Sequence, residues 1–93
     1  MSNILKTKNL FKILADETRL RIIELISEKE MCVGDIYTTL NMTQSSISHQ
    51  LSYLKENNIV KSHKINKNVY YSLADNHIYE IFKMGYEHVN ECK

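Results

Sequence analysis

The sequence has no proline, and among its 93 residues there are only two glycines, Gly34 and Gly85, and two cysteines, Cys32 and Cys92. So little glycine excludes the Gly-rich phosphate loops of nucleotide-binding folds, and an enzyme with a large built cleft is not expected. Two cysteines are too few for a disulfide scaffold. No apolar run approaches the roughly 18 residues needed to span a membrane. Lys6, Lys8 and Lys12 interrupt the N-terminal stretch where a signal peptide would carry its apolar core. The expectation is a cytoplasmic chain with no membrane partner. Apolar residues make up 43% and charged residues 25%, which suits a globular fold and argues against disorder. The length predicts one domain, residues 1–93. A domain this small buries only about two-thirds of its unfolded surface, and such domains often gain stability from a second copy or a metal.

The net charge of +1 is uninformative, but its distribution is not. Residues 1–15 carry three lysines and no acid, whereas residues 16–42 balance to −3. Residues 43–73 carry Lys55, Lys61, Lys64 and Lys67 against Glu56, and residues 74–93 balance to −2. A basic segment in a near-neutral chain fits a contact patch for a polyanion, and it also fits an ordinary solvated face.

Apolar spacing predicts four helices, a hairpin and a fifth helix. Leu5, Leu10, Ile13 and Leu14 form the stripe of a first helix. Asp16 is a fitting N-cap for a second, with Leu20, Ile23 and Ile26 as its core face. Val33, Ile36, Tyr37 and Leu40 fall at i, i+3, i+4, i+7 within a short third helix over Cys32–Leu40. Asn41-Met42 makes a turn, Thr43 caps a fourth helix, and Ile47, Leu51 and Leu54 form its inward stripe before Asn57-Asn58 ends it. The period then changes. Residues 59–65 and 69–73 are β-prone runs around Asn66-Lys67-Asn68, a hairpin with a basic tip. After Asp75 the helical period returns through Ile78, Ile81, Phe82, Gly85 and Val89. The fold class is mainly α with a small β-hairpin.

Two short helices joined by a tight turn and followed by a hairpin make a winged helix-turn-helix, whose second helix enters the DNA major groove. Gln44, Ser45, Ser48 and His49 lie opposite Ile47, Leu51 and Leu54. They are short hydrogen-bonding groups near a helix N-terminus, suited to base edges and phosphates. Lys64 and Lys67, on or near the hairpin tip, suit the DNA backbone or minor groove. The competing reading makes the Ser/Thr-rich helix start mere capping chemistry, and for Thr43 it is the preferred one.

The run from Leu10 to Ile23, the run Thr43-Gln44-Ser45-Ser46-Ile47-Ser48-His49-Gln50-Leu51 and the segment Val69-Tyr70-Tyr71-Ser72-Leu73 together resemble the ArsR/SmtB family of metal-responsive repressors. The likeness extends from about Leu10 to Glu91. It implies a homodimer through the first and last helices that binds an inverted-repeat operator when metal-free and releases it when metal binds.

Asp75, His77, His88 and Glu91 gather in the last helix. His77 and His88 are eleven residues apart, close to three full turns, so they share a face but stand roughly 16 Å apart along the axis. Metal–ligand bonds are only about 2 Å, so one helix cannot wrap all four residues around one ion. It can supply two half-sites, Asp75 with His77 and His88 with Glu91. If the four are ligands, pairing the helix with an antiparallel copy about a two-fold axis near residue 83 joins the half-sites into two identical sites. Gly85 would permit close approach there. Taken singly, Asp75 also reads as a helix N-cap, each histidine as a solvated or core residue, and Glu91 as surface charge. Zinc sensors of the resembled family carry D-x-H-x10-H-x2-[E/H] on this helix, and the four residues match every position and gap. Imidazole and carboxylate donors without thiolate suit Zn(II) in tetrahedral geometry, with Co(II) as a substitute.

Glu30-Met31-Cys32-Val33-Gly34-Asp35-Ile36 resembles a second metal box of the family. Here Gly34 stands where thiolate-rich members carry a second cysteine, and no Cys or His precedes Cys32. Cys32 and Asp35 are too few for a tight site, so Cys32 reads as a structural residue or a vestigial ligand. An alternative within the same fold is a repressor answering a thiol oxidant through Cys32 and Cys92. No nucleophile–base pair supports an enzyme, no small-molecule substrate is expected, and four protein ligands would leave a hydrolytic zinc no open position.

Overall fold

A computed structural model describes residues 3–91. Its elements run α1 (Asn3–Leu14), α2 (Glu17–Glu28), β1 (Met31–Cys32), α3 (Val33–Leu40), α4 (Gln44–Glu56), β2 (Val60–Ile65), β3 (Asn68–Leu73) and α5 (Asn76–Glu91). The caps act as their residue types predict. Asp16 is extended and its Oδ2 accepts from the Arg19 N–H at 3.0 Å, while Thr43 Oγ1 accepts from the Ser46 N–H at 3.1 Å. Each satisfies a first-turn donor that has no partner inside its own helix.

With so little glycine, asparagine takes the left-handed positions. Asn41, Asn58 and Asn66 have φ of 55°, 60° and 57°. At the end of α3 the Met42 N–H bonds to Tyr37 O and the Asn41 N–H to Thr38 O. At the end of α4 the Ile59 N–H bonds to Leu54 O and the Asn58 N–H to Lys55 O. Both are Schellman closures, which need one left-handed residue, and Asn is the side-chain-bearing type that tolerates it best.

The core is aliphatic. Ile22 and Ile23 of α2, Ile36 of α3, and Ile47, Leu51 and Leu54 of α4 have no exposed surface, and Ile59 and Val60 close the cluster from the start of the wing. No buried polar or charged side chain lies among the described residues. The α4 stripe is as expected, whereas α2 differs. Its buried residues are Ile22, Ile23 and Ile26, and Leu20 is 36% exposed on the rim of a groove. Spacing alone assigned Leu20 to the core because it is three residues from Ile23, but the helix turns it toward α5 instead. In α1 only Ile13 and Leu14 are buried, Leu10 packs in part, and Leu5 is exposed. In α5 only Ile78 is buried, and Val89 is exposed.

The hairpin is part of a three-stranded antiparallel sheet, ordered β1-β3-β2, rather than a two-stranded unit. Met31 and Cys32 pair with Tyr71 and Tyr70, so the third helix begins at Val33 and not at Cys32. A two-residue strand has no periodicity of its own, and only the edge of β3 creates it. The turn is Asn66-Lys67, because Asn68 pairs with Ile65.

These burials set unequal costs. Leu51→Ala should destabilise the fold by about 2–5 kcal/mol, and Ile65→Ala on the exposed wing by no more than about 0.5 kcal/mol. Urea denaturation followed by circular dichroism measures both, and equal losses would contradict the assigned core.

Candidate nucleic-acid interface and metal centre

Burying Ile47, Leu51 and Leu54 turns the opposite side of α4 outward. Gln44, Ser45 and His49 are exposed there and Ser48 is half-buried. Ser52, four residues after Ser48, is also exposed and extends the same face. It was missed in the sequence although the i+4 step pointed to it. Lys64 is exposed across the ladder from Val69, and Lys67 is exposed in the turn. The face and the wing are therefore solvent-accessible sets of donors and cations on one small scaffold.

A second feature escaped the sequence altogether. The Arg19 Nε donates to Gln50 Oε1 of α4 at 3.1 Å, its Nη1 donates to Ile13 O of α1 at 3.1 Å, and its guanidinium lies 4.5 Å from the centre of the Tyr53 ring. On the wing, His63 Nε2 and Glu30 Oε2 are 2.8 Å apart and the His63 ring stacks on Tyr70. Gln50 and Tyr53 are more than thirty residues from Arg19, and Glu30 is as far from His63, so no spacing rule finds these pairs.

Asp75 makes two kinds of contact at the start of α5. Its Oδ1 accepts from the backbone N–H groups of His77 (2.9 Å) and Ile78 (3.2 Å), which caps α5. Its Oδ2 stands 3.6 Å from His77 Nδ1, and the His77 side chain is 90% exposed. Two ligands with bonds of about 2 Å to a tetrahedral ion are separated by roughly 3.3 Å. The pair is thus held near the spacing of two ligands on one ion, and the donor types fit zinc. The Ile78 N–H, then the His77 side chain and backbone, hold the Asp75 carboxyl below its ordinary value of 3.8. His88 and Glu91 are exposed three turns further along α5. Among the described residues no three His, Cys, Asp or Glu side chains of this single chain come together as a metal site, as the helical rise requires.

The other box remains incomplete. Cys32 is half-buried and Asp35 exposed, and a Cβ on Gly34 would lie 4.0 Å from Cys32 Sγ. Cys92 lies outside the described residues, so the two-thiol arrangement is not part of what the structure describes.

Beside these sites runs an apolar groove of about 460 Å³ between α1, α2 and α5. Phe11, Leu14, Leu20, Ile81, Phe82 and Val89 line it. A Cβ on Gly85 would meet nothing within 4 Å.

The family model described as "Bacterial regulatory protein, arsR family" matches residues 16–62, from the cap of α2 into the wing. The chain belongs to this family. This ArsR-family chain is 38% identical over 81 residues to a "Transcriptional repressor SmtB homolog" of Synechocystis, covering 87% of the chain and 61% of that protein. It is 41% identical over 76 residues to the "Cadmium resistance transcriptional regulatory protein CadC" of Listeria innocua, covering 81% of the chain and 64% of that protein. The match thus spans less than two-thirds of either relative's length. The structure of reduced HlyU from Vibrio cholerae superposes with a TM-score of 0.82 at 28% identity, covering 88% of this chain and 86% of that one. The winged helix-turn-helix expectation is borne out, and these relatives are regulators, in line with the expectation that the chain is not an enzyme. No described helix is long and apolar enough to cross a membrane.

The lowered carboxyl of Asp75 fixes the sign of a pH effect. Its capping contribution is present above the ordinary carboxylate value of 3.8 and is lost as pH falls through the lowered folded value. Asp75→Ala should speed amide exchange at His77 and Ile78 at neutral pH, with the difference from the unsubstituted chain vanishing in strong acid. Unchanged exchange at pH 7 would refute the cap.

Proposed function

We propose that the protein is a metal-responsive transcriptional repressor that binds operator DNA as a homodimer through α1 and α5 and releases it when Zn(II) binds. The observation that carries this is the outer face of α5. One donor pair stands at ligand spacing where the helix starts, the capping Asp75 with His77, and a second, His88 with Glu91, lies three turns away, beside an apolar groove open to solvent. A single chain completes neither site, whereas an antiparallel second α5 would complete both and cover the groove. The names of two relatives, an SmtB-type repressor and a cadmium-resistance regulator, support the same reading. A repressor of this kind acts on DNA in the cytoplasm.

Asp75 and His77 of one copy with His88 and Glu91 of the other would hold the ion, which supplies a cross-link between the two last helices. The effect on DNA is the difference in metal affinity between the free and DNA-bound dimer, and it is reciprocal. The second ring nitrogen of a ligand histidine, bonded to the protein, would pass that difference inward. His88→Asn should therefore retain metal-free DNA binding and lose metal-induced release. Ligand histidines must be neutral, so metal affinity falls in acid.

Gln44, Ser45, Ser48 and His49 would read the major groove, with Lys64 and Lys67 on phosphates. Gln44→Ala should cost about 1–3 kcal/mol and relax preference at one base position. Lys64→Ala and Lys67→Ala should each weaken binding across all sequences and reduce the salt slope by about one. Fluorescence anisotropy at several salt concentrations separates the two behaviours.

Cobalt titration of the metal-free protein tests the site. The expected result is the intense visible spectrum of tetrahedral Co(II), saturating at about one ion per chain, without a thiolate charge-transfer band. The spectrum should be lost in His77→Ala and kept in Cys32→Ser. A strong thiolate band would move the site to Cys32 or Cys92 and overturn the assignment.

A further inference from the structure

Arg19 sits in the first turn of α2, where its own N–H is pinned by the Asp16 cap. From that fixed base its side chain reaches two other helices. Nη1 donates to Ile13 O at the end of α1, a carbonyl with no helical partner at the negative end of the helix dipole, where a cation is favoured. Nε donates to Gln50 Oε1, and the guanidinium face covers the Tyr53 ring of α4. Gln50 and Tyr53, three residues apart, share one flank of α4. That flank lies on the side away from Ser48, between the buried stripe and the outward face.

Apolar packing of Ile47, Leu51 and Leu54 holds α4 against the core and opposes a large roll, but it is non-directional and leaves small rolls of the helix less sharply defined. A planar guanidinium with donors on two edges and an aromatic ring on its face is directional, and lysine cannot reproduce it. Arg19 therefore ties the roll of α4 to the end of α1.

We infer that Arg19 is a positioning residue that sets the spacing of DNA half-sites the protein accepts. The inference rests on the dimeric DNA-binding reading above, in which α1 lies at the dimer interface and α4 in the groove. If α1 is fixed by the partner and α4 is fixed to α1, the separation and relative rotation of the two recognition helices are fixed as well. DNA rotates a half-site by about one-tenth of a turn for each added base pair. A rigid pair of helices rejects such a change, and a loosely held pair follows it.

The test uses the full chain. Sequences are enriched from random DNA by the unsubstituted metal-free protein. Affinity is then measured for the enriched inverted repeat and for the same site with its centre lengthened or shortened by one base pair. The unsubstituted protein should lose about tenfold or more on the altered spacers. Arg19→Lys should reduce that penalty to about threefold or less, and Gln50→Leu, which removes the bond from the α4 side and leaves Arg19 in place, should do the same. Gln50→Glu, which keeps an acceptor for the guanidinium, should restore the full penalty. If Arg19→Lys fails to fold, Gln50→Leu and Gln50→Glu decide the matter. A spacing penalty unchanged in Gln50→Leu, or an equal loss of affinity on all three spacers, would overturn the inference while leaving the DNA-binding reading intact. Failure of the unsubstituted protein to enrich any inverted repeat would overturn that reading and the inference with it.

Discussion

The complete burial of one side of α4 is the constraint on which the rest depends. Ile47, Leu51 and Leu54 have no exposed surface, and they pack in one cluster with Ile22, Ile23 and Ile36. Rolling α4 by even a quarter turn would pull these side chains into water and bring Ser48 inside with no partner, an outcome that hydrophobic transfer and polar desolvation both oppose. The outward set Gln44, Ser45 and His49 is therefore a consequence of the core. Arg19 adds direction to that packing from the flank, by bonds to Gln50 and Ile13 and by its contact with the Tyr53 ring.

The second half of the molecule is organised by incompleteness. Only Ile78 of α5 is buried, while Met84, Tyr86 and Val89 are exposed and Phe82 lines an open groove with Phe11 and Leu20. Helix α5 carries its chemistry in pairs three turns apart, and no three potential ligands of one chain meet among the described residues. Apolar surface and both donor pairs thus lie along α5. A partner that buries the one also joins the other, which couples assembly to metal binding in the proposed function. Asp75 is the economical element here, since one of its oxygens caps α5 and the other faces His77. A residue that begins the helix also holds half of the proposed site in place.

Much of this was legible because it is local. Caps at Asp16 and Thr43, the turn at Asn41-Met42 and the stripe on α4 all depend on residues within about a turn of one another, where side-chain type and spacing determine the geometry. The impossibility of a one-helix metal site was legible for the same reason, because the helical rise is a constant. Periodicity was less dependable for Leu20, Leu5 and Val89. An apolar residue at helical spacing announces a face to be covered, and it does not say whether the same chain covers it.

By itself the sequence determined the order of helices, the caps at Asp16 and Thr43 and the outward face of α4. Only the tertiary structure decided that Met31 and Cys32 form a third strand against β3, that Leu20 faces a groove rather than the core, that Glu30 meets His63 across the sheet, and that Arg19 bridges α1 and α4. The physical reason is range. Hydrogen bonds within a turn of helix are set by the backbone rise and the adjacent side chain, whereas contacts between residues thirty positions apart exist only after the chain has closed on itself and the packing of every other element has placed them.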